Sequence, residues 1–196
     1  MPSIDTLAET AALYLRADCD LSNPPGPTQL ARRLLGPQAV QEHAGIRAPA
    51  VYVRALGVIW VRPGLSAVRR CFGVAHELAE WHLSAYAGED REDVCDTLAA
   101  SLIAPAPAFR AVLHDVGRSL PDLARAFVTT QSIVALRLGE VTGSPLALVT
   151  PRRVIVRGDA WCWPRDVRRL AAGVLPREVE RLPVTDASRR VALVAA

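Results

Sequence analysis

Apolar residues near the start of the chain fall at Ile4, Leu7, Ala8, Ala11 and Leu15. That helical spacing predicts a first helix, and Ser3 stands at its N-cap. Asn23-Pro24-Pro25-Gly26-Pro27 then breaks the chain. Thr28 is placed to cap a short helix, Gln29 to Leu35, which Gly36-Pro37 stops. The period changes after residue 48. Val51-Tyr52-Val53 and Val58-Ile59-Trp60-Val61 are β-branched or aromatic runs about a Leu56-Gly57 turn, and they predict two antiparallel strands. Ser66 opens a helix expected over 66–86, with Leu78, Trp81 and Ala85 as its apolar stripe. A second helix is expected over 90–104, ended by Pro105 and Pro107.

Further along, Leu123, Ala124 and Phe127 mark a short helix, followed by a Thr-capped one carrying Ile133, Val134, Arg137 and Leu138. The pair resembles a helix-turn-helix. Leu146 to Val149 and Val154 to Val156 read as a hairpin beside it, giving a winged shape. The tail predicts a helix around Arg165 to Val174 and a strand over Arg190 to Val194. The expected fold class is α+β. A domain over 1–118 has a small antiparallel sheet and the two longer helices. A helix-turn-helix-like segment with hairpin follows over 119–160, then a C-terminal appendage over 161–196.

Bulk properties narrow the picture. Hydrophobic residues make up 51% of 196 residues, enough for a sizeable core and too many for disorder. All 23 basic residues are Arg, and the formal net charge is +3. That balance permits contact with nucleic acid without arguing for it. Cys19, Cys71, Cys95 and Cys162 are widely spaced, which argues against a disulfide scaffold and fits a reducing compartment. The N-terminus lacks a signal pattern, and Arg54 interrupts the longest apolar stretch. The expected location is the cytoplasm, with no membrane partner.

The candidate chemistry lies in Val74-Ala75-His76-Glu77-Leu78-Ala79-Glu80-Trp81-His82-Leu83. His76 and Glu80, four apart, point the same way from a helix. This is the frame of His-Glu-x-x-His, in which two His hold zinc and the Glu is general base, but the last position is Glu80. Glu77 takes the general-base position. Glu92, expected to fold back on the next helix, is placed to be a third ligand. Asp96, four residues on, can orient the His76 ring through its second nitrogen. Two ligand carboxylates make the site harder and more anionic, so manganese or iron(II) stand beside zinc as expected ions, and loss of metal binding is the other outcome.

Phe72-Gly73-Val74-Ala75-His76-Glu77-Leu78-Ala79 resembles the active helix of the ImmA/IrrE metallopeptidases, a gluzincin-like, zincin-type family. Glu92 and Asp96-Thr97-Leu98-Ala99-Ala100-Ser101-Leu102-Ile103-Ala104-Pro105 resemble that family's following stretch. The resemblance implies metal ligands at His76 and Glu92 and a general base at Glu77. Glu80 falls where the family has its second His. It also implies cleavage of a helix-turn-helix repressor, relieving repression of stress-response or mobile-element genes.

Other readings stand beside it. Glu80 is also placed to pair with Arg69, Arg70 or Arg91. His82 lies on a different face from His76. Tyr86 is a candidate to steady an oxyanion. Arg125, Arg137, Arg152 and Arg153 are the candidates for phosphate contacts, few for a nucleic-acid reader. The alternative function is a catalytically impaired regulator that binds a repressor or DNA, or a metal-sensing switch.

Overall fold

The computed structural model describes residues 4–20, 24–86, 91–144, 146–149, 154–157, 179–182 and 191–195. The chain divides into two compact units, Met1–Ala108 and Phe109–Ala196.

The first unit holds α1 (Ile4–Leu15), α2 (Pro27–Leu35), β1 (Val40–Glu42), β2 (Ala50–Val53), β3 (Val58–Val61), α3 (Ala67–His82) and α4 (Arg91–Ile103). Its sheet has the order β1-β3-β2. The expected antiparallel pair, β2 and β3, is present with Val51 opposite Trp60 and Tyr52 opposite Ile59. A third strand, β1, joins parallel to β3, so the sheet is mixed rather than purely antiparallel. Val-Gln-Glu is too short and too polar to signal a strand, and its pairing comes from β3. Val40, Ala50, Ile59 and Val61 are buried. On the other face Trp60 stacks on His43, ring centroids 4.0 Å apart.

Pro27 occupies the first turn of α2, and Gly26 is its N-cap. The expected Thr28 cap is displaced by this arrangement: the missing Pro N–H costs nothing there, and the Gln29 side chain accepts from the Gly26 N–H at 3.2 Å. Ser66 caps α3 as expected, accepting from the Arg69 N–H. That helix ends four residues earlier than predicted. The Ser84 and Tyr86 N–H groups bond to the Trp81 and Leu83 carbonyls in tightened i→i−3 turns.

The centre of this unit is α4, buried on all sides from Thr97 to Ile103. It packs against both α1 and α3. The face that α1 buries is Ala8, Ala12, Leu15 and Arg16, whereas Leu7 is half-exposed. Two alanines one turn apart on that face leave room for α4 to pack closely. Arg16 is 1% exposed. Its guanidinium donates to the Pro25 carbonyl at 2.8 Å and to the Leu102 carbonyl. Leu102 lies in the last turn of α4, where carbonyls lack helical partners and the dipole favours a cation. Glu9, two turns earlier, accepts from the Ala106 N–H at 3.0 Å, at the opening of the next helix. α1 therefore supplies an acid to one helix N-terminus and a base to one helix C-terminus.

That next helix, α5 (Ala106–Val116), crosses the division between the units. The second unit continues with α6 (Leu120–Ala126), α7 (Gln131–Thr142), β4 (Leu146–Val149), β5 (Val154–Arg157), β6 (Val179–Leu182) and β7 (Val191–Ala195). The expected helix pair is present, with Thr130 capping α7 by accepting from the Ile133 N–H. Val128 in the connecting turn has φ of 49°, a strained conformation for a β-branched residue. The expected hairpin is present too, within an all-antiparallel sheet of order β5-β4-β7-β6. The sequence sets 161–196 apart as an appendage, but β7 pairs with β4 of the hairpin. The helix expected around Arg165 to Val174 lies outside the described residues. Among the described residues, no helix is long and apolar enough to cross a membrane.

Replacing Arg16 by Met keeps most of the buried stem and strands two carbonyls. We expect a stability loss of about 2–4 kcal/mol in urea denaturation; a loss under about 1 kcal/mol would mean water replaces the guanidinium without penalty.

Candidate metal centre

Two helices and one strand edge build the site. His76, Glu77 and Glu80 come from the middle of α3, which lies against β2 and β3 on one side and α4 on another. Glu92 and Asp96 come from the exposed start of α4. Gly73, one turn before Glu77, brings the strand close: a Cβ there would sit 3.2 Å from that of Ala50. A larger residue would push the helix from the strand.

His76 is the pivot. Its Nδ1 lies 3.0 Å from Asp96 Oδ1 and its Nε2 3.8 Å from Glu92 Oε2. A neutral ring that donates from Nδ1 to Asp96 leaves the Nε2 lone pair facing Glu92, the tautomer a metal requires. The hydrogen bond to Asp96 raises the His76 pKa, against the opposing effect of burial, with Asp96, Glu77 and Glu80 adding Coulombic support.

His76, Glu80 and Glu92 each offer a ligand atom, and the three lie within 4.8 Å of one another. Two ligands about 2.1 Å from a common ion at the tetrahedral angle are about 3.4 Å apart. Small side-chain rotations close that gap, because Glu92 is largely exposed. One imidazole and two carboxylates also suit a divalent ion chemically. The residues present therefore fit the expected group. The triad is the one the sequence pointed to, with Asp96 behind the ring as expected.

Glu77 is held differently. Its Oε2 accepts from the Tyr52 backbone N–H at 2.7 Å. Arg62 N–H bonds to the Pro49 carbonyl, and Val61 and Ile59 bond toward β1. Alternation along an antiparallel pair then turns the Ala50 and Tyr52 backbone groups to the free edge of β2. Burial raises the Glu77 pKa, the Tyr52 bond opposes it, and the Glu80 charge adds to the rise. A carboxyl tuned upward in this way suits proton transfer near neutral pH. This backbone partner carries no side-chain signature, and the sequence could not have identified it.

Glu80 also has a cationic neighbour, and the other candidates fall outside the triad. Glu80 lies 4.0 Å from Arg91, the third of the arginines considered for it. Tyr86 sits beyond the end of α3 and is 38% exposed. His82 stands beside Tyr14 and Trp81, and burial lowers its pKa. In the second unit Arg125 is exposed and pairs with Asp122 at 2.6 Å. Arg137, expected at a phosphate, is buried and pairs with Glu140 of its own helix at 3.0 Å. Burial and a carboxylate partner remove it from any nucleic-acid surface. Arg152 and Arg153 lie outside the described residues.

The raised His76 pKa sets a pH dependence. In the metal-free chain the bond to Asp96 contributes its full stability below the ordinary imidazole pKa, and that contribution is lost as pH rises through the elevated value. NMR titration should place His76 above the ordinary value, and Asp96→Asn should bring it down; an unmoved midpoint would remove Asp96 as the cause.

No curated protein matches the sequence significantly. Among solved structures, a Mycobacterium tuberculosis transcriptional regulator is similar in fold, with a TM-score of 0.63 at 14% identity over 96% of this chain and 74% of that one. Residues 39–139 match the model of a peptidase family described as the IrrE N-terminal-like domain. The matched segment contains β1 to β3, the helix of His76 and Glu77, and the helix of Glu92 and Asp96. As it spans just over half of the chain, the protein belongs to the family of IrrE N-terminal-like domains.

Proposed function

We propose that this protein is a metal-dependent endopeptidase of the ImmA/IrrE type that cleaves a helix-turn-helix transcriptional repressor in the cytoplasm. The observation that carries the reading is the convergence of His76, Glu80 and Glu92 beside a Glu77 held at a free strand edge. Family membership supports the peptidase part. The repressor is proposed from the resemblance of the active helix to that family, and the regulator similar in fold is compatible with it.

His76 Nε2 and the Glu80 and Glu92 carboxylates would hold the ion, either Zn2+ or, given two carboxylates, Mn2+ or Fe2+. A bound divalent ion supplies Lewis acidity for a water and for a peptide carbonyl. Glu77 receives the proton from the attacking water and passes it to the leaving amine. Asp96 holds the imidazole in the ligating tautomer. The outer edge of β2 around Tyr52 would pair with an extended substrate, which would add as a strand. The Tyr52 N–H already engages Glu77, so a chain pairing there meets the general base directly.

Incubation with a helix-turn-helix repressor tests the reading. Cleavage should stop on chelation and return with Zn2+ or Mn2+. Glu77→Gln should slow it by roughly 10²–10⁴-fold while leaving metal affinity within a few-fold. Equal cleavage by the wild type and Glu77→Gln would falsify the general-base assignment.

A further inference from the structure

The site carries one negative charge more than the usual hydrolytic set. Two His and one carboxylate bring −1 to the ion, whereas His76, Glu80 and Glu92 bring −2. A divalent ion among them would be fully neutralised, and its capacity to acidify water or polarise a carbonyl would fall. Arg91 stands where that excess arises. Its Nη2 is 4.0 Å from Glu80 Oε1, with both side chains only part-exposed.

The placement of Arg91 is not explained by its own helix. It is the first residue of α4, where the dipole favours acids and opposes a cation. Glu92 and Asp93, one and two residues on, do not face it. Its Nε is buried and, among the described residues, makes no hydrogen bond. One turn along, it reaches the Cys95 thiol, a weak partner for a guanidinium. Among the described residues, the carboxylate paired with it is that of Glu80, across the helix pair.

We propose that Arg91 is the charge-compensating residue of the metal centre, offsetting the second carboxylate and thereby setting how tightly a divalent ion is held. The inference rests on the metal-site reading above. With Arg91 counted, the ligand environment returns to −1, and a bound divalent ion keeps a net +1. The same charge repels the ion and shares Glu80 with it. Arg91 therefore weakens binding while preserving Lewis acidity. It is a positioning residue that touches neither ion nor substrate.

The sign of the effect makes the test specific, because loss of a merely structural contact would weaken binding. The full chain, freed of metal by chelator, is titrated calorimetrically with Zn2+ alone and with Mn2+ alone. Arg91→Gln should bind each roughly tenfold more tightly than the wild type, the size expected for removing one unit charge a few ångströms beyond a ligand. Arg91→Lys, which keeps the charge, should stay within about threefold of the wild type. In the Glu80→Gln background the gain from Arg91→Gln should shrink to under about threefold, because the arginine has lost its anchor. Unchanged or weaker binding by Arg91→Gln, with the wild type binding normally, overturns the role of Arg91 and leaves the metal site standing. Absence of binding in the wild type and every variant overturns both.

Discussion

The contact between His76 and Asp96 ties α3 to α4, and the candidate chemistry depends on that tie. It fixes the ring orientation and selects which nitrogen faces Glu92. It also links the helix that carries Glu77, the proposed general base, to the helix that carries Glu92, a proposed ligand. The two helices pack together, and each buries an apolar stretch: Val74, Ala75, Leu78 and Ala79 on one, Val94, Cys95, Leu98 and Ala99 on the other. The alanines and Cys95 among these are small and let the backbones approach, so short acidic side chains can reach across. The polar cluster sits at the open end of an otherwise apolar contact, where Glu92 and Asp96 remain half-hydrated and their desolvation cost stays low.

The rest of the first unit serves to hold those helices still. α1 meets both ends of the turn between α4 and α5 with side chains of the correct sign, Arg16 at the carbonyl end and Glu9 at the amide end. A buried guanidinium is costly unless its hydrogen bonds are made. Its contacts therefore select one docking of α1 rather than simply adding stability. On the opposite side Gly73 lets β2 approach α3, and the approach delivers the Tyr52 N–H to Glu77. The same strand edge is thus both a support for the general base and the surface along which an extended chain would lie.

Electrostatics distinguishes this centre from the two-histidine form. The exchange of an imidazole for Glu80 changes ligand charge without changing the helical spacing, and the arginine beside it restores the balance. A set of one imidazole, two carboxylates and a nearby guanidinium is compatible with a divalent ion that is held less tightly and remains electrophilic. The helix pair in the second unit has a different logic. Its Arg137 is buried and paired with Glu140, so this residue helps hold the helix rather than facing a phosphate.

Much of this was legible in the chain itself. Period and capping placed α3, α4, α6, α7 and the β2–β3 and β4–β5 pairs, because amphipathic spacing, Ser66, Thr130 and the Pro-Gly punctuation act locally. The triad was legible as well, since four-residue spacing on one helix and Glu92 with Asp96 on the next are patterns within the sequence. What stayed hidden was long-range. β1 exists through pairing with β3, β6 through pairing with β7, and the buried role of Arg16 through a carbonyl 86 residues away. The sequence by itself determined which residue types stand at which helical positions. Only the tertiary structure decided that a backbone N–H of the strand edge holds Glu77 and that Arg91 faces Glu80. Both depend on where separate elements come to rest, and packing rather than local spacing controls that.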